Sequence, residues 1–124
     1  MNETNFGSKT TKELVERFCE IALAQFQTHF LENAADEYNR LYKELLQIEY
    51  ELKSRPGDQR SFLTVLYQHE NSEVRLKAAF ATHIVDPEGS WAVLEALDKW
   101  DVPPPAALAR RRMRALKDGT YKPA

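Results

Sequence analysis

The stretch Asn71-Ser72-Glu73-Val74-Arg75-Leu76-Lys77-Ala78-Ala79 decides how this chain is read. Asn71 or Ser72 offers a side-chain oxygen to the free amides of a first helical turn. From there Val74, Ala78, Ala81 and Val85 recur at helical spacing and form one apolar stripe. Leu76, Phe80 and Ile84 form a second. A helix over about 73–85 that is apolar on two sides belongs between neighbours. The rest of the chain must therefore supply other helices to cover it.

It does so in both directions. Upstream, Thr10 and Glu13 have the capping-box spacing and open a helix whose face is Leu14, Phe18, Ile21, Ala22 and Phe26. Asn33 is placed to cap a second helix, with Asp36 in its first turn, and Tyr38, Leu41, Leu45, Ile48 and Leu52 follow as a three-four seam. Pro56-Gly57 stops it. Asp58 then caps a short helix over about 59–67 with Phe62, Leu63 and Leu66 apolar. Downstream, Asp86-Pro87 reads as cap and first helical position of a helix that runs to about Asp98 and buries Trp91, Leu94 and Leu97. Trp100 to Pro105 is a rigid connection, and a last helix follows over about 105–117 with Leu108, Ala115 and Leu116 apolar. No alternating β-branched run and no useful hairpin signal interrupts this pattern.

The chain is thus expected to be all-α. Its 124 residues make one domain's worth of protein, with 1–9 and 118–124 as irregular or flexible tails. The helices starting near 59 and near 88 set a repeat of about 30 residues, and three helix pairs are available to stack.

The quoted stretch resembles the inner-helix signature of HEAT-type repeats: a polar cap, then Val74-Arg75, then the small pair Ala78-Ala79. Over most of its length the chain also resembles a small uncharacterised family of bacterial proteins with an armadillo/HEAT-type fold. The residues that carry this are the helical pair from Leu14 to Lys53, Arg55-Pro56-Gly57-Asp58, Val74-Arg75, Pro87-Glu88 and Gly119-Thr120-Tyr121-Lys122-Pro123. The resemblance implies a short right-handed stack of three helical hairpins, about six helices. It carries no activity with it.

Composition excludes several classes. Hydrophobic residues at 43% and charged residues at 29% describe a globular chain. No apolar run approaches a membrane span of about 20 residues, and Met1 to Thr11 has no secretory apolar core, so a cytoplasmic location is expected. One cysteine permits neither a disulfide framework nor a cysteine-built zinc site. There is no Gly-rich phosphate loop and no Glu-x-x-His pair, and His29, His69 and His83 lack ligand spacing. No cofactor or metal is expected. Cys19 reads as a small buried hydrophobe, against the alternative of a nucleophile paired with His29 or His83.

Charge is uneven. Up to Pro103 there are 18 acidic and 11 basic residues, and from Pro104 onward one acidic and six basic. The basic part centres on Arg110, Arg111, Arg112 and Arg114. Neighbours on a helix diverge by about 100°, so these four arginines cannot face one way. They are expected to contribute little to the fold.

The function expected is a non-enzymatic interaction module. Its surface is formed by the helices over about 33–53, 73–85 and 105–117. Candidate contacts are Arg75, His83, Trp100, Arg111 and Arg112. Each has a plainer reading. Arg75 bridges to a neighbouring turn, His83 is a solvated residue at a helix end, and Trp100 plugs its loop. The partner expected is another protein, self-association included. The alternative is nucleic acid or another acidic ligand on the Arg110 to Arg114 helix, and an enzyme with a dispersed site stands third.

Overall fold

The computed structural model describes residues 6–124, all-α with no strand among them. A 3₁₀ turn at Phe6–Ser8 precedes α1 (Thr11–Thr28) and α2 (Ala35–Ser54). A 3₁₀ segment at Gln59–Gln68 leads to α3 (Ser72–Thr82), α4 (Pro87–Trp100) and α5 (Pro105–Asp118). The chain divides between Phe62 and Leu63 into two compact units.

In the first unit α1 packs along α2. The capping box forms as its spacing predicts: Glu13 N–H donates to Thr10 Oγ1 at 3.0 Å, and Thr10 N–H to Glu13 Oε1 at 2.8 Å. Leu14, Phe18, Ile21 and Ala22 are buried, as are Leu41, Leu45, Ile48 and Leu52 of the α2 seam. Gln25 is buried on α1 too, and neither polar atom of its amide has a hydrogen-bond partner among the described residues.

Two expectations fail in this half. Asn33 does not cap α2. It takes a left-handed backbone (φ +58°) in the turn, and Ala34 stands at the cap position with no side-chain bond. Asparagine tolerates that backbone better than most residues, so the turn claims it. Phe6–Ser8 is no loose tail: Phe6 is buried, and the Arg55 guanidinium donates to the carbonyls of Phe6 (3.1 Å) and Lys9 (2.7 Å). The remainder of that expected tail, 1–5, lies outside the described residues. Asp58 does cap the segment that follows, its carboxylate accepting the Arg60 amide at 3.4 Å. Its backbone is left-handed, and the same carboxylate also takes the Arg60 guanidinium at 2.9 and 2.7 Å, which holds it below the usual carboxylate range.

The segment expected as an α-helix over about 59–67 is 3₁₀ instead. Its burial has a period of three: Arg60, Leu63 and Leu66 are buried, while Phe62 and Val65 are exposed. A helix with three residues per turn eclipses positions i and i+3, so Phe62 cannot share the face of Leu63 and Leu66.

In the second unit, Asn71 caps α3 through the amides of Glu73 and Val74. Val74, Leu76, Ala78, Ala79 and Ala81 are all buried, and so are Glu73 and Lys77, paired at 3.2 Å. Helix α3 stops at Thr82, whose hydroxyl donates back to the Ala78 carbonyl at 2.8 Å. Ile84 therefore falls beyond the helix and is exposed, not part of a second stripe. Asp86 caps α4 through the Gly89 amide. Beside it the Tyr67 hydroxyl, 2.6 Å from Thr82 Oγ1, donates to Asp86 Oδ2 at 3.1 Å, and burial pushes it up to about 12.

Helices α3 and α4 approach closely where the buried Ser90 hydroxyl donates to the Ala79 carbonyl at 2.8 Å. The core of this unit is Leu76, Ala79, Leu94, Leu97, Ala109 and Met113. So α5 buries Ala106, Ala109 and Met113, and the expected Leu108, Ala115 and Leu116 lie half-buried at its edges. Trp91 is likewise half-buried rather than a core residue.

Candidate interaction groove

Helix α5 packs on α4 through Ala109 and Met113, which leaves its flanking positions free for other uses. On one flank Arg110, Arg114 and Lys117 recur at four and three residues and so share a side. They face Trp91, Glu95, Asp98 and Lys99 of α4 across an open groove of about 850 Å³. Met113 forms part of its lining, and Asp118 lies at one end.

Within the groove Arg110 Nε donates to Asp98 Oδ1 at 2.7 Å. Lys117 Nζ lies 5.6 Å from the Trp91 ring centre. At the rim Lys99 Nζ lies 4.9 Å from the ring centre of Trp100, which is 75% exposed. Trp100 therefore does not plug its loop, because three-quarters of it is in solvent together with its neighbour Val102. Asp118 is held below the usual carboxylate range, first by the Thr120 hydroxyl and amide and least by the charge of Arg114.

The other flank of α5 carries Arg112. Its guanidinium lies 3.8 Å from the ring centre of Phe80 and 4.2 Å from that of Tyr121. Stacked between two rings, it is part of the packing, so the expectation that the four arginines contribute little to the fold does not hold for this one. It also brings Tyr121 onto the helix, so the expected tail 118–124 is tied down at that residue, and Tyr121 N–H donates to the Ala115 carbonyl. His83 sits by this stack with Nδ1 3.2 Å from Ser90 Oγ. Burial, and then the Arg112 charge, hold it below its ordinary value.

Arg75 donates to the carbonyls of His69 (2.7 Å) and Glu70 (3.0 Å) and to Asp101 Oδ2 at 3.0 Å. Arg111 points away from the core, exposed and without a hydrogen bond among the described residues. The five sequence candidates thus separate. Arg75, His83 and Arg112 are engaged within the unit, and Trp100 and Arg111 are open to solvent. The groove brings together others: Trp91, Lys99, Arg110, Arg114 and Lys117. Their spacing on each helix is visible in the sequence, but which side of α4 meets which side of α5 is not.

Other surfaces offer less. On α2, Tyr42, Leu46 and Tyr50 form an exposed apolar line at four-residue spacing. Cys19 is half-buried, and its burial pushes the thiol up, away from the thiolate a nucleophile needs. Among the described residues no group of three or more His, Cys, Asp or Glu is placed to hold a metal, and no helix is long and apolar enough to cross a membrane.

Fold and groove together define an all-helical protein of two compact units, one of which carries a cation-rimmed cleft between consecutive helices. The profile of the domain of unknown function DUF2019 matches residues 12–117, and the chain belongs to that family. It is similar to the crystal structure of the protein RPA1889 from Rhodopseudomonas palustris CGA009. The two share 35% identity at a TM-score of 0.92, over 98% of this chain and 100% of that one. A comparison with curated proteins finds no match.

Proposed function

We propose that this protein is a non-enzymatic interaction module of the bacterial cytoplasm, and that it holds another protein in the groove between α4 and α5. The observation that supports this is the groove's lining. Exposed cations stand on both rims, above a half-buried tryptophan and a methionine, all carried on helices whose opposite faces are locked into one core. Aromatic and arginine side chains on a rigid frame are what protein interfaces favour. The HEAT-type signature at Asn71 to Ala79 points the same way, since such helices stand side by side to offer binding surface.

A photo-crosslinking residue placed at Glu95, inside the groove, tests the reading in cells of the source organism. A second placed at Tyr50, on the exposed line of α2, is the control. The expected result is a protein adduct from Glu95 that is lost when Arg114→Glu and Lys117→Glu are added. Adducts from Tyr50 alone would move the binding surface to α2 and overturn the proposal.

A further inference from the structure

We infer that the groove's occupant is an acidic segment in which carboxylates alternate with large apolar side chains. This rests on the interaction reading above. The charge is the first ground. Lys99, Arg110, Arg114 and Lys117 line the groove against Glu95, Asp98 and Asp118, and Asp98 is already paired with Arg110. Three of the six basic residues from Pro104 onward, Arg110, Arg114 and Lys117, line this groove, on a chain whose net charge is -2. An acidic partner meets its complement in these cations.

The aromatic rings are the second ground. The chain has two tryptophans, and each carries a lysine over its ring: Lys117 on Trp91, Lys99 on Trp100. An exposed cation–π contact is worth about 0.5–1 kcal/mol, so either ammonium is readily drawn off its ring by a carboxylate. Once it moves, the ring is bare to an apolar side chain. One ligand with both groups satisfies both halves of each pair, whereas a purely acidic ligand leaves the rings uncovered.

Spacing is the third. Arg110 and Arg114 are four residues apart on α5, about 6 Å along the axis. Alternate side chains of an extended segment are about 6.6 Å apart. Acid, apolar, acid in an extended segment therefore matches the rim of α5, with the intervening side chain free to reach the tryptophans. Nucleic acid also carries negative charge, but its stacking bases would need open aromatic plates along a continuous cationic track. Here Trp91 is the one ring in the groove's lining, and Arg112 is turned to the other flank.

The test uses the full chain as bait for a displayed library of random peptides, with oligothymidylate as the nucleic-acid probe. The expected consensus alternates Asp or Glu with Leu, Phe or Trp. The best such peptide should shift the tryptophan emission to the blue, and the shift should persist in Trp91→Phe, where Trp100 is the only reporter. Arg114→Glu with Lys117→Glu should weaken it about tenfold, and a twin peptide with lysine at its acidic positions should bind that variant better than the original. A neutral or basic consensus, no consensus at all, or indifference to the charge reversal overturns the inference, as does oligothymidylate binding tighter than the best peptide. A neutral consensus that still competes with the Glu95 adduct leaves the interaction reading standing and removes only the acidic occupant. Absence of any Glu95 adduct without those charge reversals removes both.

Discussion

The Arg112 guanidinium lies 3.8 Å from the centre of the Phe80 ring, on the flank of α5 opposite the groove. Tyr121 closes the stack from the other side at 4.2 Å. Its neighbour in sequence, Arg111, is exposed and unbonded among the described residues. Two adjacent arginines thus have opposite thermodynamic weight. Arg112→Ala should destabilise the protein by about 1–2 kcal/mol, the scale of a partly desolvated cation–π contact, and Arg111→Ala by less than about 0.5 kcal/mol. Urea unfolding of the two variants checks this, and equal midpoints would sink it.

Ala79 is fully buried, belongs to the core of the second unit, and lends its carbonyl to the Ser90 hydroxyl. Ala79→Leu must push α4 away or adopt a strained rotamer. A loss of about 1–3 kcal/mol is expected. Retention of the parent's melting temperature would mean that α3 and α4 are not in close approach at this point.

Gln25 is fully buried, and its amide has no hydrogen bond among the described residues. Burying such a group costs about 1–3 kcal/mol, and an apolar replacement of similar shape removes that cost. Gln25→Met should therefore raise stability. Denaturant midpoints decide the sign, and a fall would show that the amide is satisfied in solution, by water for instance.

His83 has its pKa lowered from 6.5 by burial and by the Arg112 charge, with Ser90 Oγ as its polar neighbour. A base whose folded value is depressed binds fewer protons folded than unfolded. Stability therefore rises with pH through the window between the lowered folded value and about 6.5, and is lost as pH falls through it. His83→Gln should flatten the stability profile between about pH 7 and about pH 5. A variant profile parallel to the parent's would show that other groups set the slope.

What was legible in the sequence was whatever a single helix decides for itself. The Thr10–Glu13 box, the Leu41 to Leu52 seam and the Asn71 cap need only local spacing, and all formed. The 3₁₀ segment was not legible, because Leu63 and Leu66 are three apart in either helix type and only burial of Arg60 with exposure of Phe62 separates the two. On α5 the leucines drew attention from Ala106, Ala109 and Met113, whose small size and three-four spacing are what let α5 approach α4. The groove depends on the rotation of two helices about their own axes. Trp91 and Lys117 are 26 positions apart in sequence and meet only once that rotation is set.

The pair Glu73–Lys77 constrains the history of α3. Both side chains are withdrawn from solvent, at 0% and 4% exposure, and their charges are 3.2 Å apart. Loss of one partner removes the opposite charge 3.2 Å from a side chain withdrawn from solvent, and breaking such a buried pair costs about 3–5 kcal/mol, comparable to the whole margin of a small domain. Replacement of both together by apolar residues is close to neutral. Single substitutions at either position are therefore steps that selection removes, while the double change is accessible only as one event or behind a compensating change elsewhere. The two positions are locked into a shared descent, each residue preserved by the presence of the other.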